Sequence, residues 1–372
     1  MPLKTPPSLP PPDSKKVQAI QHNLLAWYQK HRRALPWRRD RDPYAVWVSE
    51  MMLQQTRVTT VIPYFKRWME RFPNVHALAR AREDDVLHAW QGLGYYSRAR
   101  NLRRGAQLVV NDHGGALPAN LDALRKLPGI GPYTAGAIAS IAFGQDSPIV
   151  DGNVIRVLTR LFALSGNPAR QPLQRNLWSL AQQLIPSGKA ADFNQGLMEL
   201  GATRCTPTSP ICGDCPLLNE CSAQAKGTQA QYPQLPSRVT PQRVATSAAL
   251  VKTSRGVLLV QEAAEAPRWA SLWVFPTAES RGDESVEATA ERAVQQACGV
   301  TASAQQVVGQ LEHAITRFRF NLSLVVCSLQ GRLPRGGAGR WVRERDLSSL
   351  AMPSPHRKYV NRLIQGDISL ND

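Results

Sequence analysis

The stretch that most limits what this chain can fold into is Leu127-Pro128-Gly129-Ile130-Gly131-Pro132-Tyr133-Thr134-Ala135-Gly136-Ala137, followed by Val150-Asp151-Gly152-Asn153-Val154. Asn120 and Asp122 are placed to cap a short helix ending at Leu127, Gly129 and Gly131 permit a tight turn, and Pro132 suits the first turn of a second helix. The predicted order is helix, hairpin, helix. With no side chains at the two glycines, backbone N–H groups at the start of the second helix can approach a phosphate oxygen closely. Such a clamp grips nucleic acid without reading its sequence. The competing reading is an ordinary helical hairpin whose glycines only make the turn.

Composition bears on that choice. The 372 residues suffice for two or three domains, and a net charge of +17 with a pI of about 10.1 points to a polyanionic partner. No apolar run is long enough to span a bilayer, so nucleic acid outranks a membrane. Residues 1–13 are proline-rich and lack a hydrophobic signal region, which reads as a flexible tail on a non-secreted protein. The expected location is the cytoplasm, at the nucleoid, in a bacterium, and the nucleus or mitochondrion in a eukaryote.

Apolar residues recur at helical spacing from Ser14, a candidate N-cap, and Asp42-Pro43 opens a helix expected to run through Thr56. Within it Glu50, Gln54 and Arg57 form a polar stripe. A carboxyl flanked by Val46, Trp47, Met51 and Leu53 resists ionisation and is prepared to donate a proton; on a solvated face it would do nothing chemical. Asn74 and Asp84 read as further N-caps. The run Gln91-Gly92-Leu93-Gly94-Tyr95-Tyr96-Ser97-Arg98-Ala99-Arg100 suits a tyrosine wedge entering a base stack while Arg98 and Arg100 hold phosphates, or else a packed tyrosine pair at a helix junction. Asp151 and Asn153 stand at the edge of a helix carrying Val154, Val157, Leu158 and Leu161, where Asp151 reads equally well as a plain N-cap.

Cys205, Cys212, Cys215 and Cys221 follow with spacing C-x6-C-x2-C-x5-C, a metal site for which the residues alone leave zinc and iron–sulfur both open. Residues 225–241, rich in Gln, Pro, Ser and Thr, read as a linker. Beyond them Val244–Val251 and Val257–Val260 flank Thr253-Ser254-Arg255-Gly256 like a hairpin, and Phe318, Phe320, Leu322 and Leu324 alternate with period two. Helical stretches at Glu287–Ala297 and after Ser354-Pro355 complete a small α/β domain. The expected fold class is therefore α + α/β: an all-α domain over 14–224, then an α/β domain over 242–372.

Taken together, the hairpin, Asp151 and the cysteine loop resemble the helix-hairpin-helix superfamily of DNA glycosylases. Val48-Ser49-Glu50-Met51-Met52-Leu53-Gln54-Gln55-Thr56 with Gly92-Leu93-Gly94-Tyr95-Tyr96 narrows the resemblance to adenine DNA glycosylases of the MutY type. The resemblance implies a monomeric base excision repair enzyme that flips out and hydrolyses adenine mispaired with 8-oxoguanine or guanine in duplex DNA, leaving an abasic site. Glu50 would protonate N7, Asp151 would stabilise the cationic sugar, and Tyr133 and Asn153 would support them. Gln54, Gln55, Arg57, Tyr95, Tyr96, Arg98, Gly129 and Gly131 would contact DNA. The four cysteines, in a loop over 205–221, would hold a 4Fe-4S cluster, and 242–372 would be a Nudix-like lesion-recognition domain.

Three alternatives compete with that reading. An endonuclease III-like lyase would carry a lysine at the position of Tyr133. A Nudix pyrophosphatase would need a cluster of glutamates, whereas the helix here runs Glu291-Arg292-Ala293-Val294-Gln295-Gln296-Ala297-Cys298-Gly299. A catalytically dead scaffold would have no need of both Glu50 and Asp151. The family's Phe-Ser-His loop is replaced here by His313-Ala314-Ile315-Thr316-Arg317-Phe318. Ile315 then takes the wedge position, Thr316 supplies the hydroxyl and Arg317 a phosphate contact.

Overall fold

The computed structural model describes residues 11–236, 240–334 and 337–368, so most of the expected tail over 1–13, and 237–239 of the expected linker, lie outside the described residues. Before any strand come α1 (Ser14–His31), α2 (Pro43–Leu53), α3 (Val58–Arg71), α4 (Val75–Arg80), α5 (Glu83–Ala89), α6 (Ser97–Asp112), α7 (Leu121–Lys126), α8 (Pro132–Ile141), α9 (Gly152–Leu161), α10 (Leu173–Leu184), α11 (Ala190–Thr203) and α12 (Ser222–Ala225). The chain divides into two compact units, Met1–Arg80 with Arg104–Ser237, and Ala81–Arg103 with Arg238–Asp372. A single cut at the linker does not describe this division. Polar bonds hold the inserted segment in the second unit: Gln91 Oε1 accepts from Met352 N and Arg357 Nη2, both at 3.2 Å, Tyr96 Oη donates to Met352 O at 3.0 Å, and Arg100 Nη1 donates to Ala270 O at 2.7 Å.

In the first unit α11 lies at the centre, packed against α1, α8 and α9. Close approach depends on absent side chains: a Cβ at Gly136 of α8 would stand 2.2 Å from Pro148 O, so only glycine lets the chain leading to Asp151 lie on that helix. Asn194 of α11 secures the same chain, its buried amide donating to Ser147 O at 2.8 Å and Ser140 Oγ at 3.0 Å. Asn74 and Asn120 cap as expected. Two other caps shift: Asp13 caps α1 in place of Ser14, and Asp84 sits within the first turn of α5. The helix expected to reach Thr56 stops at Leu53, because Gln54 leaves helical geometry (ψ 114°) and Gln55 turns left-handed (φ 56°); Arg57 instead opens α3, which breaks the expected stripe after Gln54.

The second unit adds β1 (Gln242–Leu250), β2 (Lys252–Thr253), β3 (Gly256–Gln261), β4 (Trp273–Val274), β5 (Thr277–Glu279), α13 (Val286–Cys298), β6 (Ala302–Ile315), β7 (Phe318–Leu329), β8 (Gly339–Val342) and α14 (Ser354–Ile364). One sheet runs β5-β1-β7-β6 with β1 and β7 parallel; the other runs β2-β3-β4 with β8 also on β3. The expected hairpin is made by β2 and β3, while β1 lies in the other sheet. Period-two alternation sends Ala248, Leu250, Leu322 and Leu324 into a core with Tyr359, Val360 and Leu363 of α14. It sends Ala249, Val251, Val325 and Cys327 into a core with Ala290, Val294 and Cys298 of α13. Both faces are covered, as in an α/β domain.

Candidate active site and nucleic-acid interface

A cavity of about 540 Å³ in the first unit is lined by Glu50 from α2, Tyr133 from the first turn of α8, and Asp151 and Asn153 at the start of α9. Glu50 is 4% exposed, on the inner face of a helix whose Tyr44, Val46, Trp47, Val48, Met51 and Met52 are all buried. The solvated alternative for this carboxyl is thereby removed. Burial pushes it up from 4.5 to about 7, the nearby charge of Asp151 adds to the rise, and a hydrogen bond from Tyr133 and the charge of Arg38 oppose it. Tyr133 Oη donates to Glu50 Oε2 at 2.6 Å. The carboxyl proton therefore belongs on the other oxygen, Oε1.

Asp151 is both an N-cap and a cavity residue. Its Oδ1 accepts from Val154 N at 2.7 Å and its Oδ2 from Asn153 Nδ2 at 3.0 Å. Burial raises its pKa, and these donors together with Arg156 hold it down. Arg156 Nη2 donates to Asn153 Oδ1 at 2.7 Å and to Gly201 O at 2.8 Å, and its Nε donates to Cys205 O at 2.7 Å. Asn153 is thus held from both sides of its amide. A Cβ at Gly201 would lie 2.6 Å from Asn153 Cβ. Gly201→Ala is therefore expected to displace Asn153 and slow single-turnover base release by about 100-fold, the usual cost of a misplacement near 1 Å; an unchanged rate would show that the position of Asn153 does not matter.

Sequence reasoning missed one wall of the cavity. Arg33, Trp37, Arg38, Gln195, Met198 and Glu199 line it. Arg33 grips the buried Glu199 carboxylate through Nε at 2.6 Å, Nη2 at 3.0 Å and its backbone N at 3.2 Å, and Arg38 Nη2 adds a fourth bond at 2.9 Å. Burial alone would raise Glu199, but the two arginines outweigh it and hold the carboxyl low. The available signal was the dense run His31–Arg41, two arginine pairs around Leu35-Pro36-Trp37, with Gln195 and Glu199 four apart on one helix.

Among the residues expected at DNA, Gly129 is left-handed (φ 78°), as a tight turn requires. Gly131 is extended, and a Cβ there would meet nothing within 4 Å. Nothing inside the protein demands glycine at 131, so its bareness suits something outside. Gln54 reaches Thr134 Oγ1 at 3.4 Å; Gln55 and Arg57 are exposed. Arg98 departs from expectation: it is 5% exposed, and its Nη2 donates to Leu93 O at 3.0 Å and Gly94 O at 2.9 Å. It braces the turn and is not placed for a phosphate. Tyr96 likewise has its hydroxyl engaged by Met352, whereas Tyr95 is 43% exposed with φ 47°.

A cavity of about 280 Å³ within the second unit is lined by Tyr95, Arg100, Trp269, His313 and Ile315 among others. Ile315 pairs with Phe318 across the two-residue turn Thr316-Arg317, so this loop is the tip of the β6–β7 hairpin, with both turn residues exposed. Arg317 stacks over Phe318 at 5.1 Å. Burial, with the charge of Lys358 behind it, holds His313 toward the neutral form. Glu291 of α13 accepts from Ala304 N at 2.8 Å and Glu284, just before that helix, bonds the Arg292 guanidinium, while Glu287 of the first turn is exposed.

Cys205, Cys212, Cys215 and Cys221 are free thiols lining one small cavity in the first unit, with Arg160 and Arg204 beside them. Arg160 Nη1 reaches Cys205 Sγ at 3.4 Å, and Gln229 Nε2 reaches Cys212 Sγ at 3.8 Å. Among the described residues no group of three or more His, Cys, Asp or Glu is arranged to hold a single metal ion. Burial pushes Cys215 up to about 12.

Residues 48–183 match the family model of the HhH-GPD superfamily base excision DNA repair protein, and residues 247–362 that of the NUDIX domain. The adenine DNA glycosylase of Rattus norvegicus is 35% identical over 93% of this chain and 78% of its own, and that of Homo sapiens 36% identical over 95% and 75%. A solved thermostable thymine-DNA glycosylase aligns with a TM-score of 0.53 at 33% identity, covering 57% of this chain and 98% of that one. A trapped endonuclease III–DNA covalent intermediate shares the fold, with a TM-score of 0.50 at 22% identity over 58% and 99% of the two chains. An acid and an anion facing one cavity beside a bare helix N-terminus are what cleavage of an N-glycosidic bond in DNA requires, and with relatives this similar along most of its length the chain belongs to the MutY-type adenine DNA glycosylases, helix-hairpin-helix enzymes of base excision repair.

Proposed function

We propose that this enzyme excises adenine opposite 8-oxoguanine or guanine by hydrolysis and leaves an intact abasic site. The observation that carries the reading is the buried Glu50, raised to about 7, in one cavity with Asp151. The extruded adenine enters the cavity, Glu50 gives its Oε1 proton to N7, and the purine becomes a neutral leaving group. Asp151, oriented by Val154 N and Asn153, stabilises the positive charge developing on the sugar. Among the described residues the cavity lining contains no lysine, and Tyr133 supplies no amine, so no Schiff base forms. The hairpin glycines grip a phosphate, and the enzyme acts as a monomer on the duplex.

The cysteine site fits a 4Fe-4S cluster on its own features. Four soft donors surround a cavity instead of converging on a point, an arginine already bonds one sulfur, and Arg204 Nε is buried there without an acceptor. Cys205, Cys212, Cys215 and Cys221 would hold the cluster, which when bound cross-links the loop and carries negative charge.

In the second unit the cavity beside Tyr95, His313 and Ile315 is suited to the lesion base, and Thr316, exposed in the adjoining turn, is the hydroxyl expected to meet it. The test is base release from duplexes holding A:8-oxoG, A:G or an oxidised pyrimidine, with and without alkali. Adenine release with strand breaks only after alkali is expected. Pyrimidine release, or breaks in neutral buffer trapped by borohydride, would refute the reading. Thr316→Ala should lower the preference for A:8-oxoG over A:G by about fivefold, the worth of one hydrogen bond; unchanged selectivity would remove Thr316 from lesion contact.

A further inference from the structure

Two arginines border the cysteine cavity, and only one is committed elsewhere. Besides Cys205 Sγ, Arg160 bonds four carbonyls, those of Thr206 (2.7 Å), Pro207 (3.0 Å), Gln229 (3.0 Å) and Tyr232 (3.1 Å), and so pins the loop. Arg204 directly precedes the first cysteine at the end of α11. Its backbone closes the loop, with Ile211 N donating to Arg204 O at 2.9 Å. Among the described residues its side chain has only a long contact, Nη1 to Thr203 O at 3.5 Å, and its Nε is buried with no acceptor. A cation at a helix C-terminus complements the helix dipole. That accounts for the charge but not for a buried N–H facing no partner, which costs stability unless something accepts from it.

We propose that Arg204 donates to the sulfur-bearing group held by Cys205, Cys212, Cys215 and Cys221 and sets its reduction potential. The inference rests on the cluster reading above. Sulfur is the acceptor available at this site, and a positive donor at a cluster sulfur favours the more reduced, more negative state, which raises the potential. Removing the guanidinium lowers the potential and makes the cluster easier to oxidise, hence quicker to be lost in air. Arg204 does not line the cavity of Glu50 and Asp151, so it is a tuning residue and not a catalytic one.

The test uses full-length protein purified without air: iron content first, then cluster potential by film voltammetry and loss of cluster absorbance on exposure to ferricyanide. Arg204→Met should retain iron, show a lower potential and bleach several-fold faster; Arg204→Gln, which keeps a neutral donor, should fall between it and the wild type. Wild-type protein without iron would sink both the cluster reading and this inference. Iron-loaded variants with the wild-type potential would overturn the inference alone. Loss of iron from both variants would assign Arg204 to holding the loop and would also overturn it.

Discussion

Glu50→Gln eliminates adenine release and makes the protein more stable above pH 7. The amide keeps the shape and can still accept from Tyr133, but it has no proton to deliver to N7. Stability moves the other way. A carboxyl raised from 4.5 to about 7 by burial contributes stability that is fully present below 4.5 and is lost as pH climbs through 7. Keeping it ionised in the fold at pH 8 costs on the order of 3 kcal/mol, and glutamine is free of that cost. Its melting temperature should exceed the wild type's by several degrees at pH 8 and match it near pH 5. The wild-type single-turnover rate should fall about tenfold per unit as pH rises above about 7, and should fall again at acid pH as Asp151, its pKa raised by burial, takes up a proton. Near-normal release by the glutamine variant, or a rate rising with pH through 7, would remove Glu50 as the acid.

Asp151→Asn should slow excision on the order of 1,000-fold with little change in melting temperature, because asparagine caps a helix as well as aspartate and its oxygen can still accept from Val154 N. The new amide group would then face the Asn153 amide, and Asn153 cannot turn over because Arg156 donates to its oxygen. Charge and geometry at the sugar are lost together while the fold remains. If the variant lost stability and duplex affinity but excised bound adenine at the normal rate, capping would be the whole role of Asp151.

What could be read from the residues was local. Asn120, the hairpin glycines and Pro132 state a helix-turn-helix over a dozen positions, and Asp151 sits where a cap must. The Arg33–Glu199 pair spans 166 positions, and no periodicity connects them. Arg98 misled for a different reason: an arginine beside two tyrosines reads as a phosphate contact until the carbonyls of Leu93 and Gly94 are seen to claim it. The strand order failed in the same way, since β1 and β2 are nearly continuous in sequence yet belong to separate sheets.

The segment Ala81–Arg103 is a loan from one half of the chain to the other. Its tyrosine turn is steadied by the backbone of Ala270 and Met352 and by Arg357, more than a hundred and fifty residues downstream. A stop codon after the cysteine loop would therefore remove more than the second half of the chain. It would take away the bonds that Gln91, Tyr96 and Arg100 make to Met352, Arg357 and Ala270, and the injury would surface at Tyr95, far upstream of the lesion in the gene.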